Sequence, residues 1–366
     1  MPHRPARTRD ADAPETLVHP RFITAARMAR ILAFVGIVSL VASLQPAAAQ
    51  ALEKPNVSIA VGGKASLYYL PLTIAERLGY FRDEGLTVEI SDFAGGAKAL
   101  EALVGGSVDV VSGAYEHTIN MQTKGQHIRA FALMGRTPAI TIGIATAKAA
   151  SVNGPKDLKG LKIGVSAPGS STNVALNIYL AKAGLKPSDV SVIGVGTGAG
   201  ALAAMRSGQI DGMSNIEPVV TMLEQKNEMK VLVTTRSEKD TQALFGGSMP
   251  AATLYAFDDF LRKNPRTAQA LANAIVRADR WLAKAGPSDV LKTVPENYQL
   301  GDKALYLAAF ASQREAYSPD GLMPESGPRT AARALASFDT KLDPAKIDLA
   351  ATFTNDFARQ AGQKYK

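Results

Sequence analysis

The sequence predicts an α/β protein of two similar lobes joined by a two-segment hinge, with a ligand cleft between them. Three observations predict it. Strand-type and helix-type segments alternate from Asn56 onward, the pattern of a parallel sheet covered by helices. The same programme restarts about a hundred residues later, and the closest echo sets AKALEALVGGSVDVVSG (97–113) against AGALAAMRSGQIDGMSN (199–215). After Gly246-Gly247 the strand signals give way to helix-forming residues that cannot build a third α/β lobe.

Taken in order, the first lobe opens with the alternating strand Asn56–Val61 and the Gly62-Gly63 turn. A helix follows through Leu70, Ile74, Ala75 and Leu78, stopped by Gly79. Leu86–Ile90 is a second strand running to Gly95-Gly96, then come a helix over 97–104 and a short strand over 108–111. In the second lobe Leu161–Val165 is a strand, the loop Ala167–Thr172 opens a helix ended by Gly184, and Val190–Val195 is the next strand. Ala251–Ala256 reads as a further strand. Helices are expected over 258–263, 266–284, 303–317 and 328–338, packed back on the first lobe. The chain then crosses between lobes near Thr137–Ile144 and Gly247–Tyr255. The expected divisions are 1–49 for a leader, 50–143 and 251–366 for the first lobe, and 144–250 for the second. Two crossings make a hinge, which suits ligand capture.

Composition narrows the function. The 366 residues carry a net charge of +8, part of it from six basic and three acidic residues among the first fifty. The remaining charges are mixed along the chain with no basic block, which argues against a nucleic-acid partner. There is no cysteine, so disulfides, thiolate metal sites and cysteine nucleophiles are excluded. Arg21, Arg27 and Arg30 precede an apolar run from Ile31 to Leu44 and then Gln45-Pro46-Ala47-Ala48-Ala49. That is the layout of a cleavable signal peptide cut after Ala49. The run is shorter than the ~20 residues a membrane-spanning helix needs. The expectation is an exported, periplasmic protein without a lipid anchor.

Three stretches carry a family resemblance. LPLTIAERLGYFRDEGLTVEI (70–90), DLKGLKIGVSAPGSSTNVALNIYLAKAGLKPSDV (157–190) and RSGQIDGMSNIEP (206–218) resemble, in this order, the SsuA/THI5-like (NMT1-like) substrate-binding proteins. The resemblance implies a type II periplasmic-binding-protein fold. It further implies a small-molecule ligand of the sulfonate, taurine, nitrate or pyrimidine type, handed to the membrane permease of an ABC importer with its cytoplasmic ATPase. A small anionic or zwitterionic solute is the expected cargo, and a monomer the expected state. Enzymes of this family rely on cysteines that this sequence lacks. An enzyme on the same fold, using Glu116 and His117, and a periplasmic ligand sensor are the alternatives. No cofactor and no metal is expected, since only His117 and His127 lie beyond the leader.

In open α/β sheets ligands bind where strands end and helices begin. Helix N-termini there offer unpaired N–H groups and partial positive charge. Four such turns can be named: 62–66, 95–97, 169–172 and 196–198. The candidate site residues follow. Ser170, Ser171 and Thr172 would cap the next helix and offer hydroxyls. Gly96, Thr197 and Gly198 would let backbone approach the ligand. Lys64 would neutralise an anion and Tyr68 would form an aromatic wall. Ser112, Tyr115 and His117 follow a strand end in the first lobe, and Asn215 follows the matching strand in the second. The resemblance places Glu217, before Pro218, at the cleft, where it would suit an amine. The Gly194–Gly200 run has the wrong glycine spacing for a dinucleotide loop.

Overall fold

The computed structural model describes residues 51–365, and the leader with its expected cleavage site lies outside them. Ten strands form two five-stranded sheets. The first holds β1 (Asn56–Gly62), β2 (Thr87–Phe93), β3 (Val110–Ala114), β4 (Ile128–Leu133) and β10 (Ala252–Phe257) in the order β2-β1-β3-β10-β4. The second holds β5 (Thr141–Ala145), β6 (Lys162–Val165), β7 (Ser191–Gly194), β8 (Gly212–Asn215) and β9 (Met229–Thr234) in the order β7-β6-β8-β5-β9. In each sheet four strands share one direction, and one antiparallel strand delivered by a crossing is inserted between the third and the fourth. That strand is β10 in the first sheet and β5 in the second. From Leu52 onward the chain forms one compact unit.

The echo noticed in the sequence has a structural cause. Its two halves are the helix Gly96–Val104 leading to β3 and the helix Ala199–Arg206 leading to β8. Asp109 accepts the Ser58 N–H at the start of β1, and Asp211 accepts the Lys162 N–H at the start of β6. Each aspartate thus pins a neighbouring strand in register. Main-chain N–H groups at a sheet end need such partners.

The crossings run from Leu133 to Thr141 and from Thr234 to Ala252. They are strapped together by paired hydrogen bonds. Ala139 N–H donates to the Thr235 carbonyl, Thr235 N–H donates to the Ile140 carbonyl, and the Thr235 hydroxyl both accepts from Ile140 N–H and donates to the Ile140 carbonyl. Ala139 has φ +48°, a left-handed conformation rare for a residue with a Cβ. Within the second crossing the helix Glu238–Phe245 is capped by Ser237 and stopped by Gly246 at φ +75°.

The C-terminal region is helical. The helix Pro265–Lys284 buries Ala268, Leu271, Ala272, Ile275, Ala278 and Leu282, a helical stripe of spacing three and four. It packs on Leu70–Arg77 and Asp356–Lys364 of the first lobe's side. The helix Lys303–Gln313 also touches Val219–Gln225 of the second lobe, so the tail bridges both. The expected helix over 303–317 ends early at Gln313, and Arg314–Ala316 continues as a tighter turn.

Candidate functional site

The carboxyl ends of β1, β2, β6 and the turns after them meet at the lobe interface. Their approach is close enough to demand glycine. A Cβ on Gly62 would lie 2.2 Å from the Gly96 nitrogen, one on Gly63 would lie 2.2 Å from Thr197 Oγ1 of the opposite lobe, and one on Gly95 would lie 2.9 Å from Ala167 Cβ. Two backbone groups are satisfied across the interface. Leu67 N–H donates to the Glu217 carbonyl at 3.0 Å, and Ala97 N–H donates to Ser170 Oγ at 2.9 Å.

That second bond revises the expectation for Ser170. It stands at the N-cap of the helix Ser171–Ala181, yet its side chain makes no capping bond to that helix. The hydroxyl instead caps the helix Gly96–Val104 of the other lobe, because the closed interface brings that orphan N–H nearer. Thr172 does not reach outward either: its Oγ1 accepts from Ser166 N–H and pairs with the Ser166 hydroxyl.

Two adjoining voids remain at the interface, sharing Tyr68, Ile140 and Ser171 as a common wall. The polar one encloses about 250 Å³ including its opening, among Gly62, Tyr69, Gly96, Ser166, Ser170, Thr172 and Ile216. The second, about 220 Å³, is bounded by Glu116, by Val174 and Ala175, and by Pro138, Phe245, Met249 and Ala251 of the crossings. As a cavity each void holds only about 10 Å³, room for about one water, so a solute enters only when the lobes part. Both lobes and both hinge segments line the space.

Glu116 and Tyr68 line this space, His117 stands behind Gly96, and all three are buried and incompletely paired. Glu116 is 2% exposed and its Oε1 has no hydrogen-bond partner. Burial pushes its carboxyl from the ordinary 4.5 up to about 7. Burial likewise holds the His117 imidazole down at about 4, so this ring is neutral at pH 7. His117 Nδ1 pairs with the Tyr255 hydroxyl at 3.0 Å, while Nε2 is buried without a partner. Burial and then the nearby Glu116 raise the Tyr68 phenol well above its usual range. The Ser171 hydroxyl tempers both Tyr68 and Glu116 without completing a hydrogen bond to Tyr68 Oη or Glu116 Oε1. Ser112 lies inside β3 rather than beyond its end, and its buried, unpartnered hydroxyl lines neither void.

Tyr68, Gly96, Ser170, Ser171 and Thr172 therefore line the voids, and His117 stands 3.2 Å from where a Gly96 Cβ would be. Other candidates are engaged elsewhere. Lys64 bonds Glu76 at 2.9 Å within its own lobe. The Tyr115 hydroxyl bonds Thr352 Oγ1 at 2.6 Å, turned toward the C-terminal tail. Asn215 donates to the Gly196 carbonyl and accepts from Ile216 N–H. Thr197 meets Gly63 across the interface, and Gly198 has open space beside it. Glu217, expected to greet an amine, holds Arg236 at 2.6 Å and accepts from Thr221 N–H. Its charge is already answered by a guanidinium eighteen positions beyond Pro218, a pairing that no local pattern announces. Sequence reasoning missed Ser166, Ile140, Ile216, Phe245 and Met249. The first follows a strand end directly and was within reach of the strand-end rule, whereas the others are apolar and carried no signal. Among the described residues no cluster of three His, Asp or Glu could hold a metal, and no helix is long and apolar enough to cross a membrane.

Comparison with known proteins places this architecture. A protein of Bordetella bronchiseptica RB50 with a solved structure is 59% identical, with a TM-score of 0.85 over 86% of this chain and 99% of that one. The periplasmic nitrate-binding protein NrtA from Synechocystis PCC 6803 is 17% identical and superposes with a TM-score of 0.68 over 87% of this chain and 90% of its own. The second likeness concerns fold alone, and the fold is the type II periplasmic-binding-protein fold. In sequence, the chain is 28% identical over 228 residues to the 4-amino-5-hydroxymethyl-2-methylpyrimidine phosphate synthase of Schizosaccharomyces pombe (strain 972), covering 60% of this chain. It spans 63% of that enzyme's length, less than two thirds. A family model described as the NMT1-like family matches residues 51–293, and the chain belongs to that family.

Proposed function

We propose that this protein is an exported solute-binding protein that closes its two lobes over one small molecule and hands it to the permease of an ABC importer. The observation that carries the reading is the pair of voids lined at once by both lobes and both hinge segments. A site assembled only when the lobes meet couples ligand binding to lobe closure. Closure in turn changes the outer surface, which gives a permease something to recognise. The ATPase of the transporter supplies the energy, so this chain needs no nucleotide of its own. The fold shared with binding proteins accommodates capture, and the family's synthase relatives supply the rival reading of turnover.

The test is a thermal-shift and calorimetric screen of the chain from Gln50 against size-matched small anions, zwitterions and nitrogen bases. A captured ligand at about 100 times its Kd stabilises by about 2.7 kcal/mol, a shift of several degrees. Saturable binding of an unchanged compound supports capture; chemical conversion of the compound supports the enzyme instead.

A further inference from the structure

The charge in the cleft has the opposite sign to the one the helix-terminus argument anticipates. No Lys or Arg lines either void. Lys64 is spent on Glu76, and Arg236 on Glu217 and Glu224. The helix donor best placed for an anion, Ala97 N–H, is already held by Ser170 Oγ. What faces the space instead is the Glu116 carboxyl, buried and with Oε1 lacking any donor. A buried acceptor left unpaired costs ~1–3 kcal/mol, more if charged, and a bound molecule that supplies a donor removes that cost. The rest of that void's lining is mostly apolar and includes Val174, Phe245 and Met249. Tyr68 Oη, on the wall shared by both voids and also buried and unpaired, stands ready for a second polar contact.

We infer that the cleft selects a small solute presenting a nitrogen hydrogen-bond donor to Glu116, an amidine, an amino-substituted heteroaromatic ring or an amine, with its apolar body against Val174, Phe245 and Met249. The inference rests on the capture reading and replaces its anionic or zwitterionic ligand class. A charge-assisted N–H···O⁻ bond is about twice as strong as a neutral one, so removing the charge while keeping the shape separates the two ligand classes.

The experiment titrates the chain from Gln50, as wild type and as Glu116→Gln, with two sets of probes. Benzamidine, 4-aminopyridine and benzylamine form the donor set; benzoate, benzenesulfonate and nitrate form the anion set. The expected result is saturable binding of at least one donor probe, weakened tenfold or more in Glu116→Gln, with the anion set weaker throughout. The empty Glu116→Gln protein is expected to melt no lower than wild type, because the substitution removes an unpaired carboxyl; a purely structural Glu116 would give a lower melting point. Anion binding of equal strength in both proteins overturns the inference and leaves capture standing. Binding by neither set overturns both.

Discussion

At the residue scale the informative groups are the buried carboxyls that keep an unpaired oxygen. Glu116 titrates at about 7 because of burial, with Tyr68, Tyr69, Tyr255 and the neutral His117 around it. A folded-state value above the unfolded one means stability that is fully present below pH 4.5 and is lost as pH rises through about 7. The cost at pH above 7 is roughly 3 kcal/mol. His117 acts in the other direction, its contribution fading as pH falls from 6.5 toward 4. The difference in melting temperature between wild type and Glu116→Gln isolates the first effect. It is expected to widen from pH 4.5 to 7 and then stay level. Asp279 offers an independent case. It lies inside the helix Pro265–Lys284 with both carboxyl oxygens unpartnered, and burial and then Asp320 raise it well above the usual range. Asp279→Asn is expected to raise the melting temperature by a few degrees, more at pH 8 than at pH 4, measured by calorimetry.

At the element scale, function depends on helix ends and turns that meet across an interface. Ser170 is a cap for the wrong helix, and that is its importance: its hydroxyl joins the lobes. Ser170→Ala is expected to cost ~0.5–1.5 kcal/mol, expressed as weaker ligand binding because the bond exists only when the lobes are closed. Replacing Ser170 and Ser171 together by bulky residues should abolish binding while circular dichroism stays unchanged. The turn Gly62-Gly63 makes a similar demand from the other side. Gly63→Val would drive a side chain into Thr197 and carries a φ of +94° that valine resists. Its expected effect is at least a tenfold loss of affinity.

At the scale of the whole molecule, the two crossings decide how the lobes move. The Thr235 hydroxyl bonds both the N–H and the carbonyl of Ile140, so each hinge strand fixes the other. Ile140 also forms the common wall of the two voids, which ties the hinge to the site. Thr235→Val keeps the shape and leaves a buried N–H without its side-chain partner. It is expected to lower stability by ~1–3 kcal/mol. Small-angle scattering with and without ligand should also show a smaller compaction on binding than in wild type.

The sequence by itself determined the class of fold, because strand and helix periods differ and because the repeat carries the same strand-pinning aspartate in both halves, Asp109 and Asp211. It also pointed to the turns that form the site, since strand ends and small residues are local signals; Tyr68, Gly96, Ser170, Ser171 and Thr172 came from that rule. Only the tertiary structure decided how the charged groups are used. Lys64 and Glu217 read as ligand groups until Glu76 and Arg236 are seen to hold them, and Tyr115 until Thr352 is found at its hydroxyl. Glu116 is the converse, a residue with an ordinary helix-start appearance that folding leaves buried, with Oε1 unpaired, on the wall of one of the two voids. Periodicity and turn chemistry are written within a few residues of each other, whereas the pairing of a charge depends on partners that only the folded chain brings together.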